Sequence, residues 1–357
     1  LRSLVGSEMC IRDRHILTIG VDYHDPKGGM AQVLYSYAHN VLNPFRFVRT
    51  TFIGNKVGKL FCLLWAIISF SEKCWFGGIK IVHIHSASYV SFWRKRIFIF
   101  LAKLYGKKVV FHVHGGKFKD FTAGNRQAVL QSLQKTDVVI ALSDYWKEFF
   151  EKELNCPCVE VVPNIVPHPR LTAQDSAGFV EALFLGAIND NKGIFDLVNV
   201  IAEHQDTLRS RFCLHIGGIG ETKRLKSLIA QHGIDDMVKY EGWIGEEQKA
   251  KLLSQADFFI LPSYVEALPI SILEAMSYRL PILSTPVGGI PEIVTNEKNG
   301  LLVEPGNKDS LFVSLQRMVN DAEMRSSMGK ISYERVQPHF PENVCATLER
   351  IYTSLLQ

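Results

Sequence analysis

Two series of short apolar segments, separated by a cluster of prolines, constrain this chain more than any other feature. Apolar runs recur at residues 15–20, 47–52, 81–85, 109–114, 138–142 and 159–162, and longer stretches with helical apolar spacing lie between them. Alternation of strand and helix is how a parallel sheet covered by helices is written in sequence. The pattern breaks at residues 163–169, which hold Pro163, Pro167 and Pro169, and the stretch 172–178 is polar. This predicts a linker between two domains. The series resumes at 181–185, 212–216, 238–240, 258–261, 281–284 and 300–303, with helices predicted over 309–320 and 342–355. The expected class is α/β, with two successive open parallel sheets whose strand ends, and any ligand, face a crevice.

Residues 1–14 stand apart. They begin without Met, show neither strand nor helix period and look like translated adapter read-through, so they are set aside as a non-native leader. The net charge of +4 hides an asymmetry: residues 1–176 carry 23 Lys and Arg against 13 Asp and Glu, a net of +10, and residues 177–357 carry 17 against 23, a net of −6. Such a split points to a charged surface as partner. The cations gather around Trp93-Arg94-Lys95-Arg96 and Lys107-Lys108, near the apolar run 60–70. Eleven residues are too few to span a bilayer, so 60–70 reads as a buried or interfacial helix. Interleaved cations and aromatics can hold the first half against an anionic membrane surface; a helix with an apolar core face and solvated cations fits equally. No nucleic acid is expected. The seven cysteines lack metal spacing, and Cys156-Pro157-Cys158 has no second pair to complete a zinc set. A cytoplasmic protein, peripheral on a membrane at most, is the expectation.

The chemistry concentrates in Ser263-Tyr264-Val265-Glu266-Ala267-Leu268-Pro269-Ile270-Ser271-Ile272-Leu273-Glu274. Pro269 suits the first position of a helix, where a missing N–H costs nothing, and the unpaired amides of the first turn attract phosphate. Glu266 stands ahead of that helix and Glu274 more than a turn inside it. Two carboxylates flanking a phosphate site match a ligand made of sugar, diphosphate and ribose. Taken as a lone pair, the same glutamates also fit a solvated loop residue and a capping or core carboxylate.

The run 256–294, with Leu261-Pro262-Ser263, the paired glutamates, Glu274-Ala275-Met276, Leu280-Pro281-Ile282 and Gly288-Gly289-Ile290-Pro291-Glu292, resembles the donor-binding signature of the group 1 glycosyltransferases, the family 4 retaining enzymes of the GT-B fold. The resemblance implies two Rossmann-like domains: an N-terminal acceptor domain over 15–170, to which 335–357 return, and a C-terminal donor domain over 171–334. It implies a retaining, metal-independent transfer from a nucleoside diphosphate sugar to a lipid-linked or saccharide acceptor in bacterial surface polysaccharide or glycolipid synthesis. No cofactor is required on this reading. Glu266 then contacts the donor sugar, Glu274 the ribose, and Leu268, Pro269 and Ile270 the phosphates. The same ligand would suit an epimerase of this fold, although no acid–base pair matches one. It would also suit a non-catalytic binding subunit, because Ala187 stands where the family usually places an Arg.

Further candidates lie in glycine-containing loops and on one strand. Lys192, after the strand 181–185, can neutralise a departing diphosphate, or it is a solvated loop lysine. Gly218 and Gly220 follow the strand 212–216 and either admit a ligand or make a tight turn. Gly28 and Gly29, between the first strand and first helix, admit a donor phosphate or an acceptor, or simply turn the chain. His112 and His114 alternate on one face of a strand, as do His83 and His85. No carboxylate or cysteine joins them, so a core role outweighs a metal site; the resemblance singles out His114 as facing the donor sugar, where a near-neutral imidazole can hydrogen-bond.

Overall fold

The computed structural model describes residues 15–24, 28–42, 44–52, 54–170 and 179–357. The expectations for 1–14 and for the polar stretch 172–178 fall outside the described residues.

In chain order the elements are β1 Ile16–Gly20, α1 Gly29–Asn40, β2 Phe47–Arg49, α2 Lys56–Phe76, β3 Ile81–Ser86, α3 Val90–Leu104, β4 Lys108–Val113, α4 Phe118–Leu133, β5 Val138–Ala141, α5 Asp144–Glu148 and β6 Val159–Val161. They continue as β7 Val180–Leu185, α6 Ile194–Glu203, α7 Gln205–Leu208, β8 Phe212–Gly217, α8 Thr222–His232, β9 Val238–Gly242, α9 Glu246–Gln255, β10 Phe258–Leu261, α10 Ile270–Ser277, β11 Ile282–Ser284, α11 Ile290–Ile293, β12 Gly300–Leu302, α12 Lys308–Asn320, α13 Ala322–Val336 and α14 Pro341–Leu356. Two compact units result: Leu1–Ile165 with Pro338–Gln357, and Val166–Gln337.

The first unit holds a six-stranded parallel sheet in the order β2-β1-β3-β4-β5-β6. Its strands are nearly continuous Val, Ile and Phe, as sheets buried on both faces require, and β3 is buried at all six positions. One face carries His83, His85 and His112 and is covered by α1, through Tyr37 with its ring 5.0 Å from that of His85, and by α14, through Tyr352, whose hydroxyl lies 2.6 Å from His83 Nδ1. The chain thus returns its last helix to its first sheet.

The helix expected over 60–70 is longer and less buried than its sequence suggests. It runs from Lys56 to Phe76 and buries only Ala66, Phe70 and Cys74, a narrow stripe at four-residue spacing. Phe61, Leu64, Trp65, Ile68, Trp75 and Phe76 face outward. The segment is therefore not buried along its length, and a single stripe of it faces the core. None of the described helices is long and apolar enough to cross a membrane.

The second unit repeats the architecture with the order β12-β11-β10-β7-β8-β9. Ala182, Leu183, Phe184, Phe258, Phe259 and Ile260 fill its centre with no more than 1% exposure. In both sheets the first strand sits inside, so the direction of winding reverses beside it: between β1 and β3 in one, and between β7 and β10 in the other. Ligands of open parallel sheets gather at such switch points.

Candidate functional site

In the second unit the β7/β10 switch point joins two loops about 75 positions apart in sequence. Lys192 Nζ bonds Glu266 Oε1, and Ser263 Oγ donates to the same oxygen at 2.8 Å. The Tyr264 amide donates to Asn191 O at 2.8 Å, tying the loops along their backbones. Glu266 is 9% exposed, so its charge is held by the Lys192 ammonium and the Ser263 hydroxyl rather than by water.

Glycines fix these loops. Gly193, at φ 66°, lies so close to the neighbouring loop that a Cβ would meet Pro262 O at 2.0 Å. Gly288, at φ 56°, would place a Cβ 2.1 Å from Glu266 O, and the Gly289 amide donates to Ala267 O at 2.7 Å. The Gly288-Gly289 pair is the floor on which the Glu266 loop rests. Gly218 and Gly220 are explained the same way: Cβ atoms there would approach Gly186 O and Ile188 O to 1.8 and 2.3 Å. Their backbone supports the loop that carries Ala187 and Lys192, and Ala187 itself is exposed.

Pro269 is one position earlier than the sequence suggests. It is the N-cap of α10, in extended conformation with φ −72° and ψ 120°, and Ile270 is the first helical residue. The cause is the bond from the Leu273 amide to Pro269 O, which makes the proline carbonyl the first acceptor of the helix. No side chain caps this end and no acidic residue lies in its first turn. Leu268 and Pro269 are buried and Ile270 is half-buried.

Glu274 is the fifth residue of α10 and only 6% exposed. Lys249 Nζ, from α9, reaches its Oε1 at 2.6 Å and Glu246 Oε1 at 2.9 Å. Burial disfavours the Lys249 charge, but Glu274 and then Glu246 outweigh it and raise its pKa above the ordinary lysine range. Sequence reasoning missed Lys249. It lies 25 positions from Glu274 on a different helix, and no spacing rule links them. The second unit therefore presents an ion pair at either end of an open helix start.

In the first unit Gly28 is the N-cap of α1 at φ 116°, and a Cβ on Gly28 or Gly29 would meet nothing within 4 Å. Conformation demands the glycine at 28, and the space beside both is open. His114 follows β4, with its Nε2 2.9 Å from His85 Nδ1. Its Nδ1 is enclosed and has no hydrogen-bond partner among the described residues, and burial lowers its pKa to about 3. The ring is neutral at physiological pH and keeps one nitrogen uncommitted. His112 is buried in the sheet face, with its Nδ1 3.3 Å from His83 Nε2. His83, His85 and His112 bring ligand nitrogens within 4.8 Å of one another, a spacing the sequence pattern only hinted at. Burial pushes all three pKa values down.

Two family models cover most of the chain: one described as Glycosyl transferases group 1 matches residues 177–335, and one described as Glycosyltransferase Family 4 matches residues 29–170. The chain belongs to the group 1 glycosyltransferases. Among relatives of this group 1 chain is WcaL of Escherichia coli K12, named as a colanic acid biosynthesis glycosyltransferase, 26% identical over 243 residues that span 64% of this chain and 58% of WcaL. Another is the D-inositol 3-phosphate glycosyltransferase of Streptomyces coelicolor, 27% identical over 49% of this chain and 40% of the relative. The match thus spans about half the length of these relatives. Among solved structures, sucrose-phosphate synthase of Thermosynechococcus elongatus superposes with a TM-score of 0.78 at 20% identity, covering 96% of this chain and 98% of the other. Anabaena HepE in complex with UDP-glucose gives 0.73 at 17% identity, with 96% and 99% covered. At such identities the likeness is one of fold, and the fold of this group 1 chain is the two-domain Rossmann-like GT-B architecture.

Proposed function

We propose that the protein transfers a sugar from a nucleoside diphosphate sugar to an acceptor hydroxyl, with retention at the anomeric carbon and without an essential metal ion. The observation that carries this reading is the arrangement around α10: Lys192 paired with Glu266 ahead of an uncapped helix start, and Glu274 held by Lys249 one turn inside it. The helix amides and Lys192 suit a diphosphate, because oriented dipoles and a cation stabilise charge that builds as the leaving group departs. Glu266 suits the hydroxyls of the sugar, and Glu274 those of the ribose. In the first unit, Gly28, Gly29 and the His114 Nδ1, which has no hydrogen-bond partner among the described residues, are the candidates that the family resemblance offers for phosphate and sugar. The bond from the anomeric carbon to the diphosphate breaks, the acceptor oxygen takes its place on the same face, and the acceptor proton leaves with the diphosphate.

HepE, of like fold, is seen with UDP-glucose, and WcaL carries the name of a colanic acid biosynthesis glycosyltransferase. Both support a sugar nucleotide as donor and bacterial surface polysaccharide or glycolipid synthesis as setting, with a lipid-linked or saccharide acceptor at the cytoplasmic face of a membrane. The purified chain is to be incubated with a panel of nucleotide sugars, with and without chelator and acceptor. Free nucleotide with a new glycoside that keeps the donor's anomeric configuration, undiminished by chelator, is the expected result. An isomerised donor would indicate an epimerase, and binding without turnover a carrier subunit; either overturns the reading.

A further inference from the structure

The covered face of the first sheet holds more imidazole than its hydrogen bonds use. His83 and His85 alternate on β3, and His112 on β4 stands in register with His85. All three are at most 1% exposed. The ring centroids lie 4.2 Å apart for His83 and His85, 4.9 Å for His85 and His112, and 5.4 Å for His83 and His112. Tyr37 of α1 packs its ring edge-to-face with each of them, at 5.8 Å from His83, 5.0 Å from His85 and 6.2 Å from His112. His85 Nε2 and His112 Nε2 are enclosed without a hydrogen-bond partner among the described residues, and so is the Tyr37 hydroxyl. Polar atoms sealed from water and left unpaired are costly, and a cluster of them calls for a water or an ion.

The nitrogens that do have partners tell which atoms are left for an ion. His83 Nδ1 meets the Tyr352 hydroxyl at 2.6 Å, and His85 Nδ1 meets His114 Nε2 at 2.9 Å. A histidine that holds a metal through one nitrogen donates the N–H of the other to an acceptor outside the metal shell. With their protons on Nδ1, His83 and His85 have such acceptors and keep their Nε2 lone pairs for ligation. His112 supplies the third donor. Its Nδ1 lies 3.3 Å from His83 Nε2, long for a hydrogen bond and close to the edge of a tetrahedron with bonds of about 2.0–2.1 Å. One nitrogen from each ring falls within 4.8 Å of the other two, a set that small ring rotations close onto one centre. Burial keeps all three rings neutral, the state that ligates. Lys95, whose charge would oppose a cation beside His85, is itself fully buried, and burial drives its own pKa well down. Imidazoles without a carboxylate suit Zn2+ and its late first-row neighbours, not Ca2+ or Mg2+.

We propose that His83, His85 and His112 hold a Zn2+ ion inside the first unit, with an oxygen donor from Tyr37 or a water at the fourth position. The ion is structural. It ties β3 to β4 and, through the bond from His83 to Tyr352, braces α14 on the sheet; it takes no part in breaking or making the glycosidic bond. Sealed from solvent, it is out of reach of a chelator over the course of an assay. The test uses the full chain, expressed with zinc and separately with cobalt in the medium, passed over a chelating resin to strip surface ions, and analysed for metal by mass spectrometry. About one Zn2+ per chain should survive the resin. The cobalt form should show the intense visible absorption of a tetrahedral site, which scattered surface histidines do not give. Tyr352→Phe keeps the aromatic ring and removes only the hydroxyl on His83 Nδ1. Its Zn2+ affinity, read against a chromophoric chelator after refolding with the ion, should fall by about tenfold or more. His112→Phe should lose the ion altogether; should that variant fail to fold, the metal content, the cobalt spectrum and Tyr352→Phe still decide. Less than about a tenth of an ion per chain, both as expressed and after refolding with Zn2+, overturns the proposal and leaves water as the occupant. A weak octahedral cobalt spectrum overturns it too, as does a Tyr352→Phe or folded His112→Phe variant that holds zinc as tightly as the parent chain. None of these readouts needs donor or acceptor, so they stand or fall apart from the transfer reading.

Discussion

Single residues set the energetics of the donor loops, and three substitutions test them. Glu266→Gln removes the charge that Lys192 and Ser263 hold in place, and transfer should fall by roughly a hundredfold or more while donor binding persists; steady-state kinetics with a donor titration separates the two, and unchanged turnover would remove Glu266 from the chemistry. Lys249→Met strands the buried Glu274 carboxylate, a loss of about 3–5 kcal/mol for a broken buried pair. A lower Tm of the second unit and a raised donor KM are expected, and Lys249→Arg should restore part of both. Gly288→Ala meets a carbonyl at 2.1 Å in a backbone conformation at φ 56°, so a cost of about 1–3 kcal/mol is expected, read in the denaturation midpoint. The glutamate pair and the glycine pair were visible in sequence because they are local. Lys249 was not, because its only relation to Glu274 is the packing of α9 beside α10.

Elements differ in how far sequence dictates them. The strands are legible as apolar runs because both faces of each sheet are covered, so burial tolerates little else. Helix extent is less so: apolar content in α2 allowed either a buried or an interfacial segment over 60–70, and the helix runs Lys56–Phe76 with only Ala66, Phe70 and Cys74 covered, since what a helix buries depends on which neighbour reaches it. The start of α10 shifted by one residue, the ordinary margin for a helix end. At this scale the buried histidines of the first unit, on its sheet and in the turn before α14, make a pH prediction. Burial lowers His83 and His114 to about 3, and burial, partly opposed by the bond to Asn164 O, lowers His339 to about 4. The unfolded chain takes up these protons below about pH 6.5, so the stability that neutral imidazoles contribute is complete above that pH and is lost progressively as pH falls towards 4 and 3. The first unit should therefore melt at lower temperature at pH 5 than at pH 7, followed by circular dichroism; a flat Tm across that interval would contradict the burial of these rings.

For the whole molecule, two cores imply two melting transitions. A nucleoside diphosphate bound at α10 should raise the transition of the second unit, by about 2.7 kcal/mol at a hundredfold excess over Kd, and leave that of the first unaltered; calorimetry that shows the reverse would move the donor site. The alternation of strand and helix, the proline-marked break and the Glu266-to-Glu274 run are properties of residues near one another along the chain, so the α/β class and the chemical character of one loop could be read from them directly. Which loops meet is another matter. Strand order places β7 beside β10 and so brings Lys192 to Glu266; it places β1 beside β3 and so gathers Arg49, Lys59 and Arg94 around Gly28; and packing of α14 on the first sheet returns Tyr352 to His83 across 269 positions. Local propensity and apolar period fix elements, but pairing among strands is chosen by the burial of entire faces at once, and that sum exists only in the folded chain.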